Sequence, residues 1–277
     1  MSQNTRELYF VGYTRIFMAV VLAALSALAL LPFLYMAYLS LTQSSTLSLQ
    51  WKPADLGLEN YRRVLIHFHF FRYLENSIIA SGLACALNAI ISAMAAYGFA
   101  KKQFTGKRTL FFLYIVTLMV PSQATLIPQF MLIRELNMLN TYIGLVLPVI
   151  NAFGVFLLRQ FMKEVPDELL AAADMDGSGE IRKFMSIVLP LLRPAIVALT
   201  IFTFITTWND FIWPLVITTD QGMRTLPLAL SILKGNYTTN YGLVMAGSLL
   251  TFLPPFLLYQ VLQRQFIQGI ALSGIKG

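Results

Sequence analysis

Charge is the scarce component of this 277-residue chain. Asp, Glu, Lys and Arg make up 12% of it, against about 25% in an ordinary soluble domain, too few ionic groups to cover a soluble fold of this length. Cysteine is almost absent: the single thiol, Cys85, excludes a disulfide framework and a cysteine-rich metal site. The two histidines, His67 and His69, lack neighbouring ligands, so they read as solvated loop residues and no metal is expected. The 16 glycines have no period, which removes collagen-like and low-complexity classes. The chain has no GxxxxGK[ST] loop, because Gly106-Lys107 is followed by Arg108, and it has no HExxH or GxSxG. No catalytic residue and no cofactor bound by this chain are expected.

What is abundant is apolar: 57% hydrophobic residues, 13% aromatics and a mean hydropathy of +0.67. The solvent for much of such a chain is lipid. The net charge of +7 raises nucleic-acid binding, which would need a basic patch interleaved with aromatics. The densest basic pairs, Lys101-Lys102 and Lys107-Arg108, instead flank a short turn between two apolar runs, as expected beside anionic lipid headgroups. Membrane lipid is therefore an expected partner and nucleic acid is not.

A helix crosses the hydrocarbon with about 20 mainly apolar residues, and six such runs occur: Ile16 to Leu41, Asn76 to Phe99, Leu110 to Phe130, Tyr142 to Phe161, Pro194 to Ile217 and Leu243 to Leu262. Lipid-facing segments must satisfy their own backbone, so the expected fold class is all-α, a polytopic membrane protein with six transmembrane helices. The first run carries an Ala27-Leu28-Ala29 triplet resembling a signal-peptidase site, yet it continues through Pro32, Phe33 and Tyr38, so it reads as an uncleaved span. With six spans both termini share one side. Thirteen of the 20 Lys and Arg fall there, from Arg6 and Arg15 to Arg264 and Lys276, and seven fall opposite, which makes both termini cytoplasmic. The chain divides into an N-terminal segment, first span and external loop (1–75), a five-span core (76–267) with a cytoplasmic loop at 162–193, and a cytoplasmic tail (268–277). Trp51, Pro53, His67 and His69 fall in the external loop.

The cytoplasmic loop holds a short predicted helix over 166–177. Pro166 suits its first position, Asp167 and Glu168 complement the dipole, the Leu-Ala run has high propensity, and Gly177 can take a left-handed stop. Ser178 then caps a second helix containing Ile181, Phe184, Met185 and Val188, and Pro190 and Pro194 redirect the chain. The first helix can dock a partner over Ala171, Ala172 and Ala173, or rest on headgroups as an amphipathic connector.

Glu168 through Pro190 resembles the cytoplasmic signature loop of ABC-importer permeases, with Asp176-Gly177 and Leu189-Pro190 intact. Asn76-Ser77, Ala96 to Ala100, Phe104 to Arg108, Met119-Val120-Pro121, Leu139 to Tyr142, Phe156 to Phe161, Trp208-Asn209-Asp210-Phe211 and Gln263-Arg264 resemble the carbohydrate-uptake subfamily of the maltose-transporter MalG type, over residues 9–277. The family's signature Glu falls at Ala171, so Glu168 or Asp174 supplies that charge, or the contact is mostly apolar.

The resemblance implies a type I ABC-importer permease fold in the inner membrane of a prokaryote, and a transport subunit with no ATPase site of its own. It implies a second homologous permease as heterodimer partner and an extracytoplasmic sugar-binding protein. Two ATPase subunits would hydrolyse ATP with Mg. It places the ATPase-coupling residues at Glu168, Leu169, Leu170, Ala171, Ala172, Ala173, Asp176, Gly177 and Pro190, and a sugar or oligosaccharide as cargo, with glycerol phosphate or a related polyol as the alternative. Asp210 is the one acidic residue well inside an apolar run. With Trp208 and Asn209 it could stack on and hydrogen-bond a sugar in the translocation path, or these groups satisfy backbone and cross-helix partners. Pro121 and Pro128 read first as kinks. A gradient-driven carrier is the remaining rival; it would need a proton relay or discontinuous helices.

Overall fold

The computed structural model describes residues 3–42, 56–232 and 240–274; Trp51, Pro53 and Lys276 lie outside the described residues. The fold is all-α as expected, with one isolated bridge between Thr42 and Leu56. Among the described residues three helices are long and apolar enough to span alone: Arg15–Ser40 within α1 (Gln3–Ser40), α3 (Phe70–Lys101), and Tyr241–Gln263 within α14 (Tyr241–Gly274). The other three apolar runs are broken. A bend of 105° separates Lys107–Met119, which begins with α4 (Lys107–Val116), from α5 (Ser122–Glu135). A bend of 52° separates Tyr142–Val149, which begins with α6 (Tyr142–Val146), from α7 (Ala152–Lys163). A third bend, of 75°, separates Glu180–Leu191 from α11 (Arg193–Trp208) just before the fifth run, and that run is itself interrupted between Trp208 and Ile212.

Contacts group the chain into residues 1–68 with 233–250, and residues 69–232 with 251–277. In the first group, α2 (Glu59–His67) places Asn60 so that its Nδ2 donates to the carbonyls of Ser40 (2.9 Å) and Thr42 (2.7 Å). A buried amide thus closes the end of α1, where the helix leaves carbonyls without intrahelical donors. Gly242 lies against the Thr42 carbonyl and Asn60 Nδ2 with no room for a Cβ.

In the second group α3 is central and packs against α6, α7 and α11. Between Ala80 and Ala96 its buried face is small and polar: Ala80, Ser81, Ala84, Asn88, Ser92, Ala93 and Ala96. Small side chains let helix backbones approach closely where apolar burial alone gives no advantage over lipid. Gly154 of α7 sits so near that a Cβ would collide with Ser92 Oγ, while Asn88 Nδ2 donates to Thr203 Oγ1 of α11 at 2.9 Å. Near the Lys101 end of α3, Ala93, Ala96 and Tyr97 pack with Leu158, Met162, Leu170 and Leu192; toward the other end Ala80 and Ala84 pack with Ile133, Val146, Trp213 and Ile217. At the Asn76 end, Asn76 Nδ2 donates to the Gly222 and Arg224 carbonyls (2.7 and 3.0 Å), Tyr142 donates to Asn76 Oδ1 (2.8 Å), and Ser77 Oγ accepts from Leu226 N–H (2.7 Å). These bonds tie the turn before α13 (Leu226–Ile232) to α3.

Several expectations are corrected. The second span begins at Phe70 rather than Asn76, with His69 at its N-cap in the left-handed region (φ 53°). The external loop is helical over α2. The fifth run is not one helix to Ile217: α11 ends at Trp208 and a separate α12 (Ile212–Ile217) follows. Pro121 does break its helix, serving as N-cap of α5, whereas Pro128 lies inside α5.

Candidate functional site

The 166–177 segment forms α8 (Asp167–Met175), one residue shorter at its start because Pro166 is the N-cap. Gly177 has φ +71°. Its N–H donates to the Asp174 carbonyl (3.0 Å) and that of Ser178 to the Ala173 carbonyl (2.9 Å), the paired bonds of a left-handed helix stop. The next helix, α9 (Glu180–Lys183), is capped by Gly179 and not by Ser178. It widens into a π-turn over Phe184–Val188 before α10 (Leu189–Leu191). Pro190 has no N–H to donate and its ring crowds the carbonyl four residues back, which a wider turn relieves.

Leu170 and Ala173 turn inward onto the chain's own core. The opposite side of α8 carries Glu168, Ala171, Ala172 and Met175, all exposed and spaced i, i+3, i+4, i+7, so they form one stripe. Met175 is 86% exposed and Leu169, at the stripe's edge, 44%. Asp176, Gly177 and Pro190 are exposed as well. Met175 was missed in the sequence because a lone Met between two acids carries no motif.

A network of ions fastens α8 and α9 to the end of α3. Lys101 Nζ donates to Asp167 Oδ1 (2.7 Å) and to the Val165 carbonyl (2.5 Å). Lys102 pairs with Glu180 (2.5 Å), which also accepts from the Tyr97 hydroxyl (2.9 Å). Lys183, 3% exposed, reaches Asp174 (2.5 Å) and Glu180 (2.7 Å). Lys101 and Lys102 are therefore committed to carboxylates, not free for headgroups. Asp174 is held by Lys183, whereas Glu168 and Asp176 form no ion pair among the described residues.

Hydrogen bonds from Lys102, then Lys183 and Tyr97, hold the Glu180 carboxyl down at about 2, from an ordinary 4.5. The bonds to Asp174 and Glu180 raise the Lys183 ammonium. A depressed carboxyl stabilises the folded state above its unfolded pKa and loses that contribution as pH falls through the folded value. Amide protection across 167–191, each rate divided by the intrinsic exchange rate at that pH, is expected to be equal at pH 7 and 6 and to weaken as pH drops from 4 toward 2. Equal protection at pH 7 and 2 would remove Glu180 from the network.

The second site lies where helices break. The start of α5 (Ser122, Gln123, Leu126, Gln129), the 150–151 break (Pro148, Val149, Asn151) and the 209–211 break (Thr206, Thr207, Asp210, Ile212, Trp213) line one cavity of about 400 Å³. Of the three residues assigned to the path, only Asp210 lines it. Its Oδ1 accepts from Trp213 N–H at 3.3 Å. Trp208 is 1% exposed, stacks on Phe204 (centroids 5.4 Å, 17°) and donates its indole N–H to the Thr251 carbonyl at 3.1 Å. Asn209 is exposed and its Nδ2 donates to the Ile205 carbonyl (2.9 Å). The alternative of backbone and cross-helix partners thus describes Trp208 and Asn209. Gln123, Gln129 and Asn151 were missed because amides inside apolar runs have no motif of their own.

Six apolar helical runs, three of them broken around a polar cavity, and an exposed short helix clamped beside them define a polytopic membrane transport subunit. Residues 88–271 match the family described as binding-protein-dependent transport system inner membrane component. The chain belongs to that family, the permease subunits of ABC transporters. It is 34% identical over 262 residues to the arabinooligosaccharides transport system permease protein AraQ of Halalkalibacterium halodurans, covering 92% of this chain and 94% of the relative. It is 37% identical over 202 residues to the lactose transport system permease protein LacG of Rhizobium radiobacter, covering 73% of this chain and 74% of the relative. To the sn-glycerol-3-phosphate permease protein UgpE of Salmonella typhi it is 32% identical over 283 residues (98% of each). In fold it resembles a chain of a bacterial ABC transporter that imports alginate, with a TM-score of 0.79 at 24% identity, covering 96% of this chain and 99% of that one.

Proposed function

We propose that the chain is the transmembrane permease subunit of an ATP-driven importer of a sugar or oligosaccharide, forming half of the path and receiving an ATPase on α8. The observation that carries this reading is the build of α8: one side is sunk into the chain's core, the other is an exposed stripe of Glu168, Ala171, Ala172 and Met175, and ion pairs fix its start to the spanning α3 through Lys101 and its end to α9 through Lys183. A helix resting passively on headgroups needs no such clamp. Glu168 stands on the stripe one turn from Ala171, and it takes the place of the signature carboxylate, since Asp174 is engaged by Lys183. The excess of Lys and Arg on this side makes it cytoplasmic. A second related permease completes the path, a binding protein delivers sugar from outside, and ATP with Mg is consumed on the two ATPase subunits. The broken helices suit a gradient-driven carrier too, but family membership and the clamped docking helix favour the ATP-driven reading.

The test is uptake in vesicles. Sugar is expected to enter only when ATPase subunits and ATP are supplied; uptake on an ion gradient alone would overturn the reading. At Gly177 a β-branched side chain meets no neighbour but must adopt positive φ, at a cost of roughly 1–2 kcal/mol. Gly177→Val is expected to lower the amount of ATPase copurifying by about tenfold with membrane insertion intact, while Gly177→Asn, which tolerates this conformation, keeps most of it. Wild-type copurification of the Val variant counts against the docking role.

A further inference from the structure

The cavity where the helix breaks meet has a definite chemistry. Its volume of about 400 Å³ falls within the range of small-ligand pockets, about 300–1,000 Å³. No Lys or Arg is among the residues that line it, and its single charge is Asp210. Gln123, Gln129 and Asn151 supply amides, which donate and accept at once, and Trp213 contributes part of the wall. The starts of α5 and α7 face the cavity, and helix starts attract negative charge. At α7 and α12, however, the protein supplies its own oxygens: Asn151 Oδ1 accepts from Phe153 N–H (3.0 Å) and Asp210 Oδ1 from Trp213 N–H (3.3 Å). An entering anion would meet a carboxylate without a compensating cation.

Resting on the reading of the chain as a permease, we propose that this cavity is a subsite for an uncharged sugar, held by the amides of Gln123, Gln129 and Asn151 and by the Asp210 carboxylate. Vicinal hydroxyls both donate and accept, so they match paired amides and a carboxylate; the phosphate or carboxylate group of an anionic sugar only accepts and is repelled by Asp210. The subsite therefore discriminates against phosphorylated polyols within this chain, whatever the delivering protein selects.

The experiment reads the cavity through a thiol. In a Cys85→Ala background, Val149→Cys on the cavity wall is labelled in membranes containing the whole transporter. The reagents are cationic trimethylammonium-ethyl and anionic sulfonatoethyl methanethiosulfonates, each rate divided by that on a free thiol in solution. The cationic reagent is expected to be faster by about tenfold, the effect of one nearby charge worth ~1.4 kcal/mol, and Asp210→Asn to bring the ratio near one. A ratio near one with Asp210 present overturns the proposal. Labelling is then repeated with lactose, maltose, arabinobiose or sn-glycerol 3-phosphate. Slower labelling with one of the uncharged sugars supports the subsite; protection by glycerol phosphate alone, or by none, overturns it. Failure of ATP-driven uptake would sink the permease reading separately, because the labelling ratio does not depend on the ATPase.

Discussion

Replacing Lys183 by Met is expected to cut ATP-driven uptake by about tenfold, because its ammonium is held between two exposed carboxylates, Asp174 and Glu180, and its loss removes two charge-assisted hydrogen bonds at once. The chain should still reach the membrane at its normal level. Lys183, itself on α9, bonds both short helices, to Asp174 of α8 and Glu180 of α9, and Glu180 passes the connection to Tyr97 and Lys102 at the end of α3. Without it, α8 can still receive a partner but no longer moves as one body with the central span. The Lys183→Met and Asp174→Leu substitutions should be less than additive when combined, as expected for residues acting through one contact. ATPase copurification near wild type with uptake lost is the result sought. Uptake at the wild-type rate would mean that motion reaches the spans by another route, such as the buried Leu170.

Substituting Met175 by Asp should have the opposite division of effects: the clamp stays whole and the partner is lost. Met175 is the most protruding apolar group of the α8 stripe, 86% exposed beside Ala171 and Ala172. A side chain standing above small neighbours is the form that inserts into a partner's pocket. Central anchors of an interface cost at least about 2 kcal/mol on truncation, roughly thirtyfold in affinity, and the copurified ATPase should fall by about that factor. Lys101, Lys183 and their partners are untouched, so amide exchange across 167–191 should match wild type. An unchanged yield of ATPase would place the contact elsewhere, with Leu169, Ile181 and Met185 the next exposed apolar groups to substitute.

Much of α8 was readable in the sequence because its signals are local. Pro166, Asp167, Glu168 and Gly177 act within a turn of their own positions, and the helix begins and ends within a residue or two of where they place it. The clamp was not readable: Lys101 and Asp167 stand 66 positions apart, and only folding makes them a pair. The opposed signs of the Lys101-Lys102 pair and the acidic 164–180 stretch were the available hint. The six apolar runs were found, yet not that three of them break, since lipid demands the same composition of a continuous helix and a bent one. Pro121 announced its break; Asn151 and Asn209 did not. Trp208 misled for a related reason: an aromatic beside Asn and Asp suggests a sugar platform, but the last turn of α11 rotates it into the core against Phe204.

The breaks also bear on how backbone is satisfied inside the membrane. Wherever a span interrupts its ladder, amides and carbonyls lose their partners, and each left dry in hydrocarbon costs several kcal/mol. At two of these interruptions Asn151 and Asp210 accept from the freed N–H groups of Phe153 and Trp213, so the polar side chains that line the cavity also satisfy backbone that the breaks leave open. At the Asn76 end of α3 the Asn76 amide does the same for the carbonyls of Gly222 and Arg224 while Tyr142 donates to its oxygen. Removing the Asn76 amide would strand the Arg224 carbonyl without its side-chain donor, which makes this end of α3, like the cavity, a place where a single polar side chain holds irregular backbone inside the subunit.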